Sequence, residues 1–398
     1  MKVLVLNCGS SSIKYKFFDM TTESILAQGG IEKIGLKGSF LKLTLPDGQK
    51  VMLEGEILEH RAGIEYILGV LLSKKYGCIQ SLNEIDAVGH RVVHGGEKFN
   101  QSTLVTEEVI KMIEDSSELA PLHNPPNLKG IYAVKELIPD APQVVVFDTA
   151  FHQTMPDYAY TYGIPYTLYE KYGIRRYGFH GTSHRYVSKR VCEFLGVPYN
   201  QQRIITAHIG NGGSLCAVKN GQSIDTSMGL TPVEGLIMGT RCGDLDPGVI
   251  SFIMEKEHMG ANSISTLLNK FSGVLGISGI SSDMREIEAG VKNKEPRAVL
   301  AMEAYNYRIK KYVGAYTAVL GGLDILVFTG GVGENQAIMR SDVCRNMEYM
   351  GIELDEEVNS KIHGKEAVIS KPTSKVKVVV VPTDEELTIA RDTMDILN

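Results

Sequence analysis

The sequence predicts an α/β chain made of two related halves, and three features predict it. Short apolar runs stop at polar or glycine-rich turns, amphipathic stretches of helical period alternate with them, and one strand–turn–strand pattern occurs twice. The runs Val3–Leu6, Val144–Phe147, Arg203–Ile209, Ile325–Phe328 and Val376–Val381 read as buried strands of a mostly parallel sheet. His184–Leu195 and Ala298–Leu320 have the spacing of amphipathic helices. The repeat pairs VLVLNCGSSSIKYKFFD at 3–19 with IITAHIGNGGSLCAVKNG at 204–221. Each copy leads into another strand-like stretch, Ile25–Ile34 and Gln222–Thr226. Two hairpin-led units predict two domains with a cleft between them. The boundary is placed near Ala150, after the VVVFDTA strand, and the final helix Glu385–Leu397 is expected to return to the first half.

Size agrees, because 398 residues exceed one ordinary core. The formal net charge is -6 with no long run of Lys or Arg, which argues against nucleic acid as the main partner. Six cysteines without a C-x-x-C pair argue against a disulfide framework or a zinc site and for a reducing cytosol. Val3–Leu6 is shorter than the ~7–15 apolar residues of a signal-peptide core. No stretch approaches the ~18 apolar residues of a membrane span. The expectation is a soluble, cytoplasmic protein with no membrane partner.

Phosphate chemistry is suggested by three glycine-rich turns that each follow a predicted strand: NCGSSS at 7–12, HIGNGGS at 208–214 and GGVGEN at 330–335. Such junctions let backbone N–H groups approach phosphate oxygens. One alone is as well explained as a plain turn; three, two of them in matching places of a repeat, point to a nucleotide. No G-x-x-x-x-G-K-S/T sequence is present, so a P-loop is excluded. Lys14 is placed to reach a phosphate, or is only a solvated charge. Asn7 holds magnesium directly or through water, or closes a turn. Thr383 and Glu386 have the spacing of a capping box, which leaves Glu385 for the metal. The two adjacent glutamates leave that register open.

The motifs GHRVVHGG at 89–96, PLHNPPN at 121–127, VFDTAFHQTMP at 146–156 and YGFHGTSH at 177–184 follow in order. MGTRCGDLDPG at 238–248 and SGVLGISGISSD at 272–283 complete the set. With the three turns and PTDEEL at 382–387, they closely resemble the acetate kinase family, from Lys2 to the last helix. The resemblance implies duplicated actin-like, ribonuclease H-like domains with mixed sheets flanked by helices. It assigns 1–150 and 386–398 to the first domain and 151–385 to a nucleotide-binding and dimerisation domain. It implies a homodimer that moves the γ-phosphoryl group of ATP onto acetate with magnesium.

Position by position, the resemblance makes Arg91 the acetate-binding arginine and Arg241 and His180 the groups on the phosphoryl in flight. His123 is a further substrate-side histidine, and Val93, Leu122, Phe179 and Pro232 surround the methyl group. Asn7 and Glu385 are magnesium-associated. The ATP segments fall on Lys14, on His208, Ile209, Gly210, Asn211 and Gly212, on Asp283, Met284 and Arg285, and on Gly331, Val332, Gly333, Glu334 and Asn335. A bidentate arginine suits a carboxylate substrate. An arginine and a histidine beside a metaphosphate-like transition state would stabilise its equatorial charge. Asp148 is a catalytic position in the family, but acetate is already ionised and has no proton to give. Asp148 is therefore expected to position an arginine or a metal-bound water. The rival readings are a propionate or butyrate kinase, separated by the acyl pocket, where Val93 favours acetate, and a non-kinase ATPase scaffold.

Overall fold

The computed structural model describes residues 1–45 and 47–398. The chain divides into two compact units, Met1–Phe151 with Asp384–Asn398, and His152–Thr383. Glu385, expected in the second domain, thus belongs to the first unit, because it opens the helix that packs there.

The first unit is built on β1 (Lys2–Cys8), β2 (Ser12–Asp19), β3 (Ser24–Glu32), β4 (Phe40–Thr44), β5 (Lys50–Glu54), β6 (Ala87–Val92), β7 (Thr103–Leu104) and β8 (Gln143–Phe147). Their order is β5-β4-β3-β2-β1-β6-β8-β7, with β1, β6 and β8 parallel and the rest antiparallel. Ile13, Tyr15 and Phe17 alternate with Lys14 and Lys16 on β2, so one face enters a core with the His60–Leu72 helix. On β1 both faces are buried: Leu4 and Leu6 join that core, while Val3 and Val5 meet Ile389 and Ala390 of the Glu385–Leu397 helix.

That helix lies close to β6 because Gly89 has no side chain. A Cβ there would come within 2.6 Å of Thr393 Oγ1 and 2.7 Å of Ile389 Cγ2. The expected capping box does not form at its start. Asp384 is the N-cap, accepting from Leu387 N at 3.1 Å, and Thr383 Oγ1 instead bonds Ser183 Oγ at 2.8 Å. Aspartate caps as well as threonine does, and it stands one residue nearer the first turn.

The second unit repeats the plan with β9 (Arg203–Ile209), β10 (Gly213–Lys219), β11 (Gln222–Thr226), β12 (Ile325–Thr329), β13 (Ala367–Val368) and β14 (Lys377–Val380). The order β11-β10-β9-β12-β14-β13 matches the first sheet strand for strand from β3 to β7, so the repeat extends beyond the hairpins that revealed it. β9, β12 and β14 are parallel. The Pro296–Leu320 helix lays Ala298, Ala301, Met302, Tyr305, Ile309 and Val313 into the core on this sheet. Among the described residues no helix is long and apolar enough to cross a membrane.

Candidate active site

In the first unit the parallel strands β1, β6 and β8 end together, with Leu6 opposite His90 and Val92 opposite Phe147. Carboxyl ends of such strands are where open α/β sheets place ligands. Asn7 lies in the last turn of β1, Arg91 on β6, and Asp148 just beyond β8, its backbone N donating to Val92 O at 3.0 Å. Arg91 Nε donates to Asp148 Oδ1 at 2.9 Å and Nη2 to Oδ2 at 2.7 Å, while Nη1 donates to Asn7 Oδ1 at 3.3 Å. Asp148 is only 1% exposed, so this is a desolvated fork-on-fork pair. Burial opposes the guanidinium charge, but Asp148 and the nearby Glu385 and Glu386 outweigh it and hold Arg91 charged. Three of its five N–H groups are engaged, leaving one on each of Nη1 and Nη2.

Glu385 and Glu386 are told apart by Lys16. Its Nζ lies 2.9 Å from Asp384 Oδ1 and 3.1 Å from Glu386 Oε2, so Glu386 is committed to an ion pair. Glu385 instead senses Arg91 and Asp148. Burial first, then Asp148 and Glu386, push its carboxyl up to about 7 against the pull of Arg91 and Lys14. Lys14 is exposed on β2 directly opposite Asn7.

The PLHNPPN motif holds this end of the sheet together. Asn127 Oδ1 accepts from Val93 N at 3.1 Å and its Nδ2 donates to Cys8 O at 2.7 Å. Asn124 Oδ1 accepts from His94 N at 3.1 Å. These asparagines escaped sequence reasoning, although buried amides after a Pro-rich turn are a signal for backbone stapling. His123 is the N-cap of the Asn124–Leu137 helix. Val93 is buried, whereas Leu122 is 55% exposed within a loop.

The second unit gathers His180, Arg241 and the HIGNGGS turn. A Cβ on Gly212 would sit 3.2 Å from Arg241 Nη1 and 3.7 Å from His180 Cε1. Arg241 Nη1 also donates to Pro232 O at 3.3 Å. His180 caps the Gly181–Leu195 helix in the left-handed region, φ 55°, a conformation rare for a residue with a side chain. Its ring stacks on His208 with centroids 4.2 Å apart. His180 Nδ1 is hydrogen-bonded to Ser214 Oγ at 2.9 Å, and the same hydroxyl bonds His184 Nε2 at 2.7 Å. One hydroxyl hydrogen cannot serve both, so at least one imidazole must donate. His184 is fully buried; burial, with His152 and His208 nearby, drives its pKa well down and keeps it neutral. Its other nitrogen bonds Thr206 Oγ1 at 2.7 Å, which fixes the chain behind His180. Phe179, 2% exposed, passes its carbonyl to His152 Nε2 at 3.0 Å.

The GGVGEN turn becomes the short Gly330–Asn335 helix. Gly330 has φ 77°, and a Cβ there would meet Ile209 O at 2.8 Å, so this turn packs directly on the strand entering HIGNGGS. Ile209 is itself fully buried, leaving its backbone as the part a ligand could meet. Glu334 Oε1 accepts from Gly330 N at 2.9 Å and Thr383 N at 3.2 Å, so its side chain holds the turn. Beneath lies Arg340, wholly buried, donating to Gly333 O at 2.9 Å, Asn359 Oδ1 at 2.7 Å, Asn359 O at 3.0 Å and Ile362 O at 2.9 Å. Burial lowers its pKa to about 10. Asp283 caps the Met284–Lys292 helix and grips Arg285, whereas Met284 sends its side chain into the core. Of that expected ATP segment, only Asp283 and Arg285 keep side chains outside the core.

A profile of the acetokinase family matches residues 2–391. The chain belongs to the acetokinase family. It is 69% identical to the acetate kinase of Azobacteroides pseudotrichonymphae over 398 residues, all of both chains. Among solved structures it resembles Porphyromonas gingivalis acetate kinase, with TM-score 0.96 and 63% identity over all of both chains. A propionate kinase from Francisella tularensis follows at TM-score 0.92 and 41% identity over 99% of each. The actin-like duplication expected of the acetokinase family is therefore the fold of this chain, and the identities favour the acetate-named members over the propionate-named one.

Proposed function

We propose that the chain is an acetate kinase, transferring the γ-phosphoryl group of ATP reversibly to acetate to give acetyl phosphate and ADP by in-line transfer. The observation that carries the reading is Arg91, desolvated, forked onto Asp148 and keeping one N–H on each terminal nitrogen. That edge suits a carboxylate bound bidentately. Val93 and Leu122 are the first unit's residues proposed for the acyl methyl, with His123 on the substrate side, and Phe179 and Pro232 are those of the second. Arg241 and His180 stabilise the charge of the phosphoryl in flight. Backbone at Gly210–Gly212 and Gly331–Asn335, with Asp283 and Arg285, receives the nucleotide in the second unit, and Lys14 is the first unit's candidate for a phosphate. Both oxygens of Asp148 are engaged by Arg91, so its role is to orient and charge that arginine rather than to take a proton.

The residues present fit magnesium. Asn7 and Glu385 offer hard oxygen donors, and the raised carboxyl of Glu385 marks a place where a cation would relieve unbalanced negative charge. Two protein oxygens would leave places for the water and nucleotide oxygens that magnesium keeps. Bound there, magnesium would neutralise charge on the phosphate oxygens.

A homodimer is supported by the Pro247–Lys256 helix, which buries none of its residues and leaves Phe252 62% exposed. Six free cysteines support a cytoplasmic location. The test is hydroxylamine trapping of acyl phosphate from ATP and magnesium, comparing acetate, propionate and butyrate by kcat/KM. Acetate is expected to lead. Propionate ahead would move the substrate, and ATP hydrolysis without any acyl phosphate would overturn the kinase.

A further inference from the structure

The first sheet carries a cluster of lysines of which the proposed transfer reaction uses only Lys14. From β2 outward two cross-strand rows lie side by side on its polar face, and the Glu385–Leu397 helix meets them at Lys16 through Glu386. In one row Lys14 faces Gly30, which faces Lys42; in the next Lys16 faces Gln28, then Thr44, then Lys50. Directly opposed residues share a face, so four ammonium groups stand over the same patch. Gly30 puts no side chain between Lys14 and Lys42, and the result is a hollow of about 290 Å³. Only Glu32 and Glu386 bring carboxylates to its lining. Among the described residues Lys14, Lys42 and Lys50 make no ion pair, although the chain as a whole is negative.

Lysines often protect an edge strand from pairing. That accounts for Lys50 on β5 but not for Lys14 and Lys42, whose strands are interior. Like charges collected around a gap repel one another unless an anion fills it. Lysine supplies point charge without the directional fork of arginine, and Tyr15 is the single aromatic residue in the lining. The size is at the small end for ligand sites.

We propose that this hollow binds a small polyphosphate anion of two or three phosphates, and that its occupation weakens catalysis through Lys16. Lys16 lines the hollow and at the same time holds Asp384 and Glu386, the carboxylates on either side of Glu385. An anion that draws Lys16 outward loosens the capped first turn of the Glu385–Leu397 helix and displaces Glu385. The effect on catalysis rests on the kinase reading; the binding does not.

The test titrates inorganic tripolyphosphate calorimetrically into the full chain saturated with ADP and free of magnesium. One site is expected, weakened at least tenfold in Lys42→Gln/Lys50→Gln and unchanged in Lys74→Gln/Lys111→Gln, which removes exposed lysines elsewhere. At constant free magnesium, tripolyphosphate should lower kcat of the wild type at least twofold more than that of Lys42→Gln/Lys50→Gln, whose basal kcat is unchanged. Equal affinity in wild type and Lys42→Gln/Lys50→Gln, or no binding once ADP is present, would overturn the site. Lost binding with an unchanged response of kcat would overturn the coupling through Lys16.

Discussion

The two hairpins at the heart of the duplicated sheets hold the same place in the strand order and carry different chemistry. In the first, Cys8 faces Ile13 and Asn7 faces Lys14; in the second, Ile209 faces Gly213 and His208 faces Ser214. Asn7 and His208 therefore occupy equivalent places. Around Asn7 stand Arg91, Asp148, Glu385 and Lys14, formal charges partly out of water. Around His208 stand Ser183, His180, Ser214 and neutral His184, a network of imidazoles and hydroxyls without a carboxylate. Duplication supplied one scaffold, and the side chains at its strand ends divide the labour. On the function proposed above, charge in the first unit would bind small ions, while backbone and oriented dipoles in the second would receive a phosphate chain with little reorganisation.

The largest test of that division is Arg241, the guanidinium beside His180 and Gly212 in the second unit. Arg241→Ala should lower kcat by ~10³ or more, with only a small change in KM for ATP. Steady-state kinetics decides it: turnover near wild type would mean that backbone dipoles alone suffice there. In the first unit Asp148→Asn should cost ~10² in kcat, because an amide cannot accept two charged bonds and Arg91 loses its aim. The loss should come without any change in the solvent isotope effect on the chemical step. An isotope effect present in the wild type and absent in Asp148→Asn would make Asp148 a proton carrier.

How much of this was legible follows from what each residue needs. Apolar runs and glycine turns are local signals, so β9, β11 and the final helix are found at the residues expected, and β14 is one residue shorter at each end. The outer strands β4 and β5 were missed, although FLKLT and KVMLE alternate, because a five-residue run with one polar face is a weak local signal. Motif resemblance named Arg91, His180 and Arg241, but not what holds them. Asn127 under Val93, His184 behind His180 and Arg340 under Gly333 act through partners far away in sequence, and of the three only Asn127, beside its two prolines, carries a local signal.

The charged unit also carries a buried neutral histidine that should make it respond to acid. His90 is 2% exposed, next to Arg91, and its Nε2 donates to Gln143 Oε1 at 2.8 Å. Burial lowers its pKa from 6.5 to about 4 against the opposing hydrogen bond. The unfolded chain therefore takes up a proton near pH 6.5 that the folded chain refuses until about pH 4. Its contribution to stability is complete above pH 6.5 and is lost as pH falls through that window, by roughly 2–3 kcal/mol in all. His90→Gln should flatten the pH dependence of denaturant unfolding between pH 6.5 and 4 by that amount. An unchanged slope would assign the acid sensitivity to other groups.

The smallest expected effect sharpens the comparison where substrate identity is decided. Val93 is 5% exposed, and its backbone N is pinned to Asn127, so truncating its side chain leaves the main chain in place. Val93→Ala removes two methyl groups from the wall beside the Arg91 strand. It should raise kcat/KM for propionate relative to acetate about fivefold, near the ~1 kcal/mol lower limit for one methylene in an apolar site. A similar cost in unfolding free energy is expected from the cavity. If the ratio shifts while kcat for acetate holds, the first unit sets acyl specificity independently of the phosphoryl groups in the second. An unchanged ratio with the same stability cost would make Val93 a core residue only, and would move the specificity to Phe179 or Pro232.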